Sequence, residues 1–314
     1  MDPRRLLGNN ASMMTLSFIT ALALGGFPSW FPLTNGNVAM LMLVIMMSFS
    51  LTSLRIRGMS IRSHSKAILR ATLLSFVLSS GVTIALAQLF QGDIRAGWVL
   101  LAAVPSAVSV VPFTFLMKGD LEPTLISTAA LYIIAVALTP LLTLLFLGQA
   151  VDVLLLVFYV AVLILLPLLL SIGIKKLDIP PSDRTAIINV AFFILIVAVA
   201  GSNRHVFFGE PLLLLSLLGV AVVRIMGVGL AWDWHLRRRG ASRAQRVPEV
   251  LFSSYKNTGM AAALAMSVVG PQAAVPAAVC TVVDIVWLIY LSRFLFSDAR
   301  VEDKQAPIEI SEAS

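Results

Sequence analysis

Apolar residues fall in blocks of roughly 18–25 along most of this chain, parted by short polar or basic stretches. That is the length a helix needs to cross ~30 Å of hydrocarbon at 1.5 Å per residue. The pattern predicts ten spans, near 13–31, 37–54, 67–90, 95–117, 121–147, 152–174, 185–202, 210–231, 247–269 and 272–296. The connections are too short to fold by themselves, so residues 1–300 read as one all-α transmembrane domain. The polar tail, 301–314, reads as disordered and cytoplasmic.

Two blocks carry interruptions. The fourth holds Pro105-Ser106-Ala107-Val108-Ser109-Val110-Val111-Pro112, and the ninth holds Ser253-Ser254-Tyr255-Lys256-Asn257-Thr258-Gly259. Proline removes an N–H donor and clashes with the carbonyl before it. A broken helix inside a bilayer is tolerated only where it lines a cavity or is buried in protein. Ten spans divide into two sets of five, about 13–147 and 152–296, meeting near Gly148. An odd number per half turns the second half upside down, which is an inverted repeat, and corresponding interruptions then mark the transport site. The expectation is therefore a 5+5 inverted repeat whose fourth and ninth helices are discontinuous and cross. It rests on span count, with no sequence self-similarity behind it.

Composition agrees with the pattern. Of 314 residues, 59% are hydrophobic and only 12% charged, against about 25% in soluble domains, and the mean hydropathy is +0.94. The net charge of +7 suggests nucleic acid until placement is considered. Arg95 and Arg204 fall on one side, Arg224 and Lys256 within spans, and every other Lys or Arg on the opposite side. Positive charge collects on the cytoplasmic face, so both termini are expected in the cytoplasm and the protein in the plasma membrane, with the bilayer and no nucleic acid as partner. The N-terminus, with Arg4 and Arg5 before an apolar run, resembles a signal peptide. The run continues through Phe27 and Phe31 as a plausible span, so the reading keeps it as the first span.

Ionisable groups deep in spans are functional by default. Three qualify, Arg224, Lys256 and Asp284, each about 8–14 residues from a span end. Asp284 can neutralise one cation, with Lys256 the expected partner, and the remaining positive charge suits an anionic ligand or a titrating site. Substrate contacts are assigned to Ser106, Ser109, Arg224, Lys256, Asn257, Thr258 and Asp284. The histidines lack ligand spacing, and the lone Cys280 offers neither a disulfide nor a thiol metal site. No nucleotide or metalloprotease motif is present. Neither an enzyme nor a cofactor is called for.

The run Pro105 to Asp120, ending Phe115-Leu116-Met117-Lys118-Gly119-Asp120, resembles the fourth span of the bile acid:sodium symporter superfamily. Its members typically read P-G-G-T-A-S-N-V-M-T-Y-L-A-K-G-D there. Thr139-Pro140 follows where the family has T-P, and Lys256-Asn257-Thr258-Gly259 lies where it has E-x-G-x-Q-N and then small residues. The resemblance implies a core domain and a panel domain, broken spans four and nine crossing at the substrate, organic-anion cargo and sodium coupling. At the positions of the family's first sodium site this chain holds Val110, Val111, Thr124, Thr128 and Phe252. Thr124 and Thr128 are the residual sodium ligands, and Lys256 replaces the Gln of the second site. Hard cations are held by several oxygen ligands, usually with an anionic one among them.

The sequence thus reads as a secondary carrier of a small organic anion working by alternating access. A proton, acting through Lys256 and Asp284, or no ion is expected in place of sodium. A ten-span drug/metabolite-type carrier and a transport-dead membrane sensor are the rival readings.

Overall fold

The computed structural model describes residues 10–52, 62–148 and 151–297. The tail 301–314, Arg4, Arg5, Arg55 and Arg57 lie outside the described residues. The chain is helical wherever it is regular: α1 Asn10–Leu24, α2 Asn35–Leu51, α3 Ser65–Ala87, α4 Gly92–Ala103, α5 Val110–Leu116, α6 Leu121–Leu147, α7 Val153–Ile174, α8 Pro181–Ser202, α9 Arg204–Gly209, α10 Pro211–Arg238, α11 Arg243–Ser254, α12 Thr258–Val268 and α13 Pro271–Leu295. Among the described residues six helices are long and apolar enough to cross a membrane, namely α3, α6, α8, α10, α13 and the helical stretch Leu154–Leu177. Thr15–Leu24 and α2 are shorter and apolar.

The ends follow local chemistry. Side chains of Thr34, Asp152, Ser242 and Asn257 cap α2, α7, α11 and α12 by accepting a backbone N–H of the first turn, which satisfies an otherwise orphan donor. The first apolar helix is shorter than the span over 13–31 expected from sequence. Gly25 and Gly26 have φ of 79° and 83°, a left-handed conformation that ends α1 at Leu24.

Both expected interruptions exist, and both are tighter than the sequence suggested. Val104 is extended (φ −74°, ψ 157°) because a residue before proline is pushed out of the helical region, so Pro105 ends α4. Pro112 breaks nothing. It sits in the first turn of α5, where the missing N–H has no partner to lose. In the second run, Ser253 and Ser254 remain helical, with both hydroxyls donating to Val250 O. Only Tyr255-Lys256-Asn257 are unwound.

The helices sort into two layers. Helix α8 packs along α1 and α2, and α2 along α7. Helices α3, α4 and α6 pack mutually, α10 packs with α11 and α13, and α12 with α13 and α4. Helix α12 also touches α2, α7 and α8, which joins the layers. The α4–α13 contact is close enough to need glycine: a Cβ on Gly97 would stand 2.0 Å from Ala273 O. Gly97→Ala is therefore expected to cost about 1–3 kcal/mol and to lower Tm in detergent by several degrees. Gly81→Ala and Gly219→Ala, where a Cβ meets nothing within 4 Å, should leave Tm unchanged or slightly raised.

Candidate functional site

The two interruptions touch. Asn257 N donates to Pro105 O at 2.9 Å, and the single proton of Ser106 Oγ goes to Phe252 O at 3.2 Å or to Ser75 Oγ at 2.9 Å. Each helix that stops leaves four carbonyls without an intrahelical partner. At and just beyond the end of α4, Leu100 O accepts from Val104 N, Ala102 O and Val104 O from Lys256 Nζ, Ala103 O from Thr139 Oγ1, and Pro105 O from Asn257 N. At the end of α11, Ser254 O accepts from the Arg224 guanidinium at 2.8 Å. Each broken helix thus meets a buried cation at its C-terminal, partially negative end.

A cavity of about 160 Å³ opens beside the crossing, between the layers. Met46, Met47 and Ser50 of α2 and Ile188, Asn189 and Phe192 of α8 form one wall. Facing them are Ser109, Phe113, Tyr255, Asn257, Thr258, Thr281 and Asp284. The walls are mainly apolar, with a few convergent polar groups, as small-molecule sites usually are. Asn257 is fixed from both sides: its Oδ1 accepts from Met260 N at 2.9 Å, and its Nδ2 donates to Tyr132 OH at 2.7 Å.

Of the residues singled out from sequence, Ser109, Asn257, Thr258 and Asp284 line this cavity. Ser106 does not, being fully buried in the helix crossing. Arg224 is also fully buried and absent from the lining. Its guanidinium is engaged by Ser254 O and, at 3.9 Å, by Cys280 Sγ. Lys256 contributes to the lining, yet the four oxygens that hold its ammonium belong to Ser75, Ser80, Ala102 and Val104, none of which lines the cavity.

The expected Lys256–Asp284 pair does not form. The lysine is satisfied by carbonyls, and Asp284 Oδ1 is buried without a hydrogen-bond partner. Arg224 is the cation whose field reaches Asp284. Thr124 and Thr128 are not brought to the cavity. Thr124 Oγ1 donates to Asp120 O and lines a second pocket with Ser127, Glu249 and Phe252, while Thr128 Oγ1 is buried and unpartnered.

Sequence reasoning missed Tyr132, Ser75, Ser80 and Asn189. Single hydroxyls and amides inside apolar helices carry no periodic signal, and only the partner across the interface shows their use. Tyr132→Phe leaves the Asn257 amide short of its best acceptor, so a loss of about 1–3 kcal/mol is expected. Asn257→Ala should cost more, since it also removes the α12 cap. Thermal unfolding of both single variants and of the double variant should show clear non-additivity; additive losses would mean that the two side chains do not interact.

A search of curated protein sequences finds no match to the chain. The model of the sodium bile acid symporter family matches residues 39–207, just over half of it, and that match stops short of Arg224, Lys256 and Asp284. A match of this extent, over helices that contain the first interruption and half the cavity wall, places this multi-pass membrane protein in the sodium bile acid symporter family.

Proposed function

We propose that this protein carries a small organic anion across the plasma membrane by alternating access, coupled to a proton through Asp284 and not to sodium. The observation that carries the reading is the cavity at the crossing of two interrupted helices, between two layers, with an unpartnered buried carboxylate oxygen at Asp284. Its apolar walls suit a hydrocarbon body. Thr258 and Gly259, the first residues of α12, bring the partially positive end of that helix to the cavity wall, which suits an acidic head group. Lys256 and Arg224 against Asp284 leave the buried core with one excess positive charge.

An ionised Asp284 repels an anion, whereas a protonated Asp284 donates a hydrogen bond to it. One proton and one monovalent anion then enter together and leave together. The groups facing Asp284 are Arg224 from α10, Cys280 on its own helix, and Tyr255, whose hydroxyl donates to Asp284 O at 2.9 Å. At the former sodium positions, Val110, Val111 and Phe252 are buried hydrocarbon, which supports sodium-independent transport.

The architecture proposed is a single domain of ten crossings in two inverted halves. The six long helices, the two shorter apolar ones and the two interrupted pairs α4/α5 and α11/α12 supply that number. One parallel favours the repeat: helix α3 contains a π-turn at Leu73–Ser79 and α10 one at Val223–Gly227, each preceding an interrupted pair in sequence. The clustering of Arg237, Arg238, Arg239, Arg243 and Arg246 at one end favours cytoplasmic termini. The cavity lies toward Ser50 and Asn189, near the α2 and α8 ends that share this basic side. This placement favours a conformation open toward the cytoplasm.

Two flux measurements in proteoliposomes, with labelled small amphipathic carboxylates, test this reading. Replacing sodium by choline should change the initial rate by less than about twofold; a collapse that returns with sigmoidal sodium dependence would refute sodium independence. Uptake should rise as the pH on the entry side falls. Asp284→Asn, which mimics the protonated acid, should abolish accumulation driven by a pH gradient, by tenfold or more, while substrate exchange persists. An unchanged pH profile in that variant removes Asp284 from coupling, and binding without any flux in the native protein would instead support the sensor reading.

A further inference from the structure

The Lys256 ammonium is held with no acid among its partners. It lies 2.8 Å from Ser75 O and 2.9 Å from each of Ser80 Oγ, Ala102 O and Val104 O. The residue is 1% exposed. Three of these oxygens are backbone carbonyls, which can only accept. The fourth belongs to a hydroxyl whose own proton goes to Ala102 O at 2.6 Å or Ser75 O at 3.0 Å, so it presents lone pairs to the lysine. All four partners are therefore acceptors facing one nitrogen, an arrangement that requires the protonated form. The face of Phe76, 5.0 Å from Nζ, adds attraction for a cation.

The oxygens come from places where regular backbone pairing lapses: the π-turn of α3, the hydroxyl one residue beyond it, and the broken end of α4. Rings of carbonyls replacing a hydration shell are how proteins hold alkali cations, and the spacing here is that of an ammonium nitrogen. We infer that these oxygens form a monovalent-cation site of ammonium size whose occupant is the chain's own lysine, and that removing the lysine opens the site to ammonium or potassium from solution. The tethered charge holds α3, the end of α4 and the unwound stretch between α11 and α12 together without drawing on any ion in the medium. Lys256 borders the cavity with Asp284, but none of the four oxygens does, so the cage does not depend on what that cavity carries.

The test uses the purified full-length protein in detergent, with Tm measured in ammonium, potassium, sodium and choline chloride at one ionic strength. The native protein should give the same Tm in all four salts. Lys256→Ala should have a reduced Tm in choline that rises saturably, by about 5 °C, with ammonium or potassium, since a ligand bound to the folded state alone raises stability with its concentration. Sodium, smaller than the cage, should restore less. Lys256→Met, which fills the space with hydrocarbon, should show no recovery in any salt. Adding Ser80→Ala to Lys256→Ala removes one oxygen and should weaken the recovery at least tenfold in cation concentration. The inference is overturned if Lys256→Ala responds equally to every cation or the native protein shows the same selective rise. It is also overturned if Lys256→Ala fails to fold even when prepared throughout in ammonium or potassium chloride.

Discussion

Two helices stop in the middle of an apolar layer, and each backbone group they release there must find a partner. In hydrocarbon an unsatisfied N–H or C=O costs several kcal/mol, so a break of this kind cannot be left to water. The solution at the end of α4 uses one side chain from α6, Thr139, one backbone N–H from the other break, Asn257, and one ammonium, Lys256. The two breaks are thereby partners, the second supplying Asn257 N and Lys256 Nζ to the first and the first presenting the Ser106 hydroxyl to Phe252 O. Helix α3 is drawn in through the oxygens of Ser75 and Ser80, and α10 through Arg224 on Ser254 O. The layer that bears the crossing is thus knit by buried polar bonds as well as by packing.

The cavity is a consequence of that crossing. Unwound segments cannot pack as closely as helices do, and the space they leave is roofed by α2 and α8 from the other layer. The polar residues that define it come mostly from the interrupted layer and its apolar cover from the opposite layer. A division of this kind is what the proposed alternating access around a fixed site requires.

The charges divide by task. Lys256 Nζ is held by three carbonyls and a hydroxyl, and the Arg224 guanidinium by Ser254 O and, more loosely, Cys280 Sγ, so each cation holds a broken end in place. Asp284 alone among the three is left with a free oxygen beside the cavity. Arg224 lies behind the cavity wall, and the Lys256 ammonium, satisfied by the protein, adds to stability and to the local field but has no hydrogen bonds left to offer a ligand. An unsatisfied carboxylate does, and it changes what it offers on taking up a proton.

Membership of the membrane-helical class, the positions of most spans and the existence of both interruptions were legible in the sequence. Each rests on a local rule: continuous apolar length for the spans, and Pro105 or the polar run from Ser253 to Gly259 for the breaks. Local rules also explain the misses along the chain, since Gly25-Gly26 ended α1 early and Pro112 fell where a helix tolerates proline. The presence of deep charges at 224, 256 and 284 was legible too, because a charged side chain stands out in an apolar block. Their pairing was not. Depth along a helix places two residues at one height and says nothing of azimuth, and whether Lys256 meets Asp284 or four oxygens of α3 and α4 depends on how helices far apart in sequence are turned toward one another. That rotation is fixed by the summed packing and by the demand of the broken ends for donors, and it exists only once the helices are assembled.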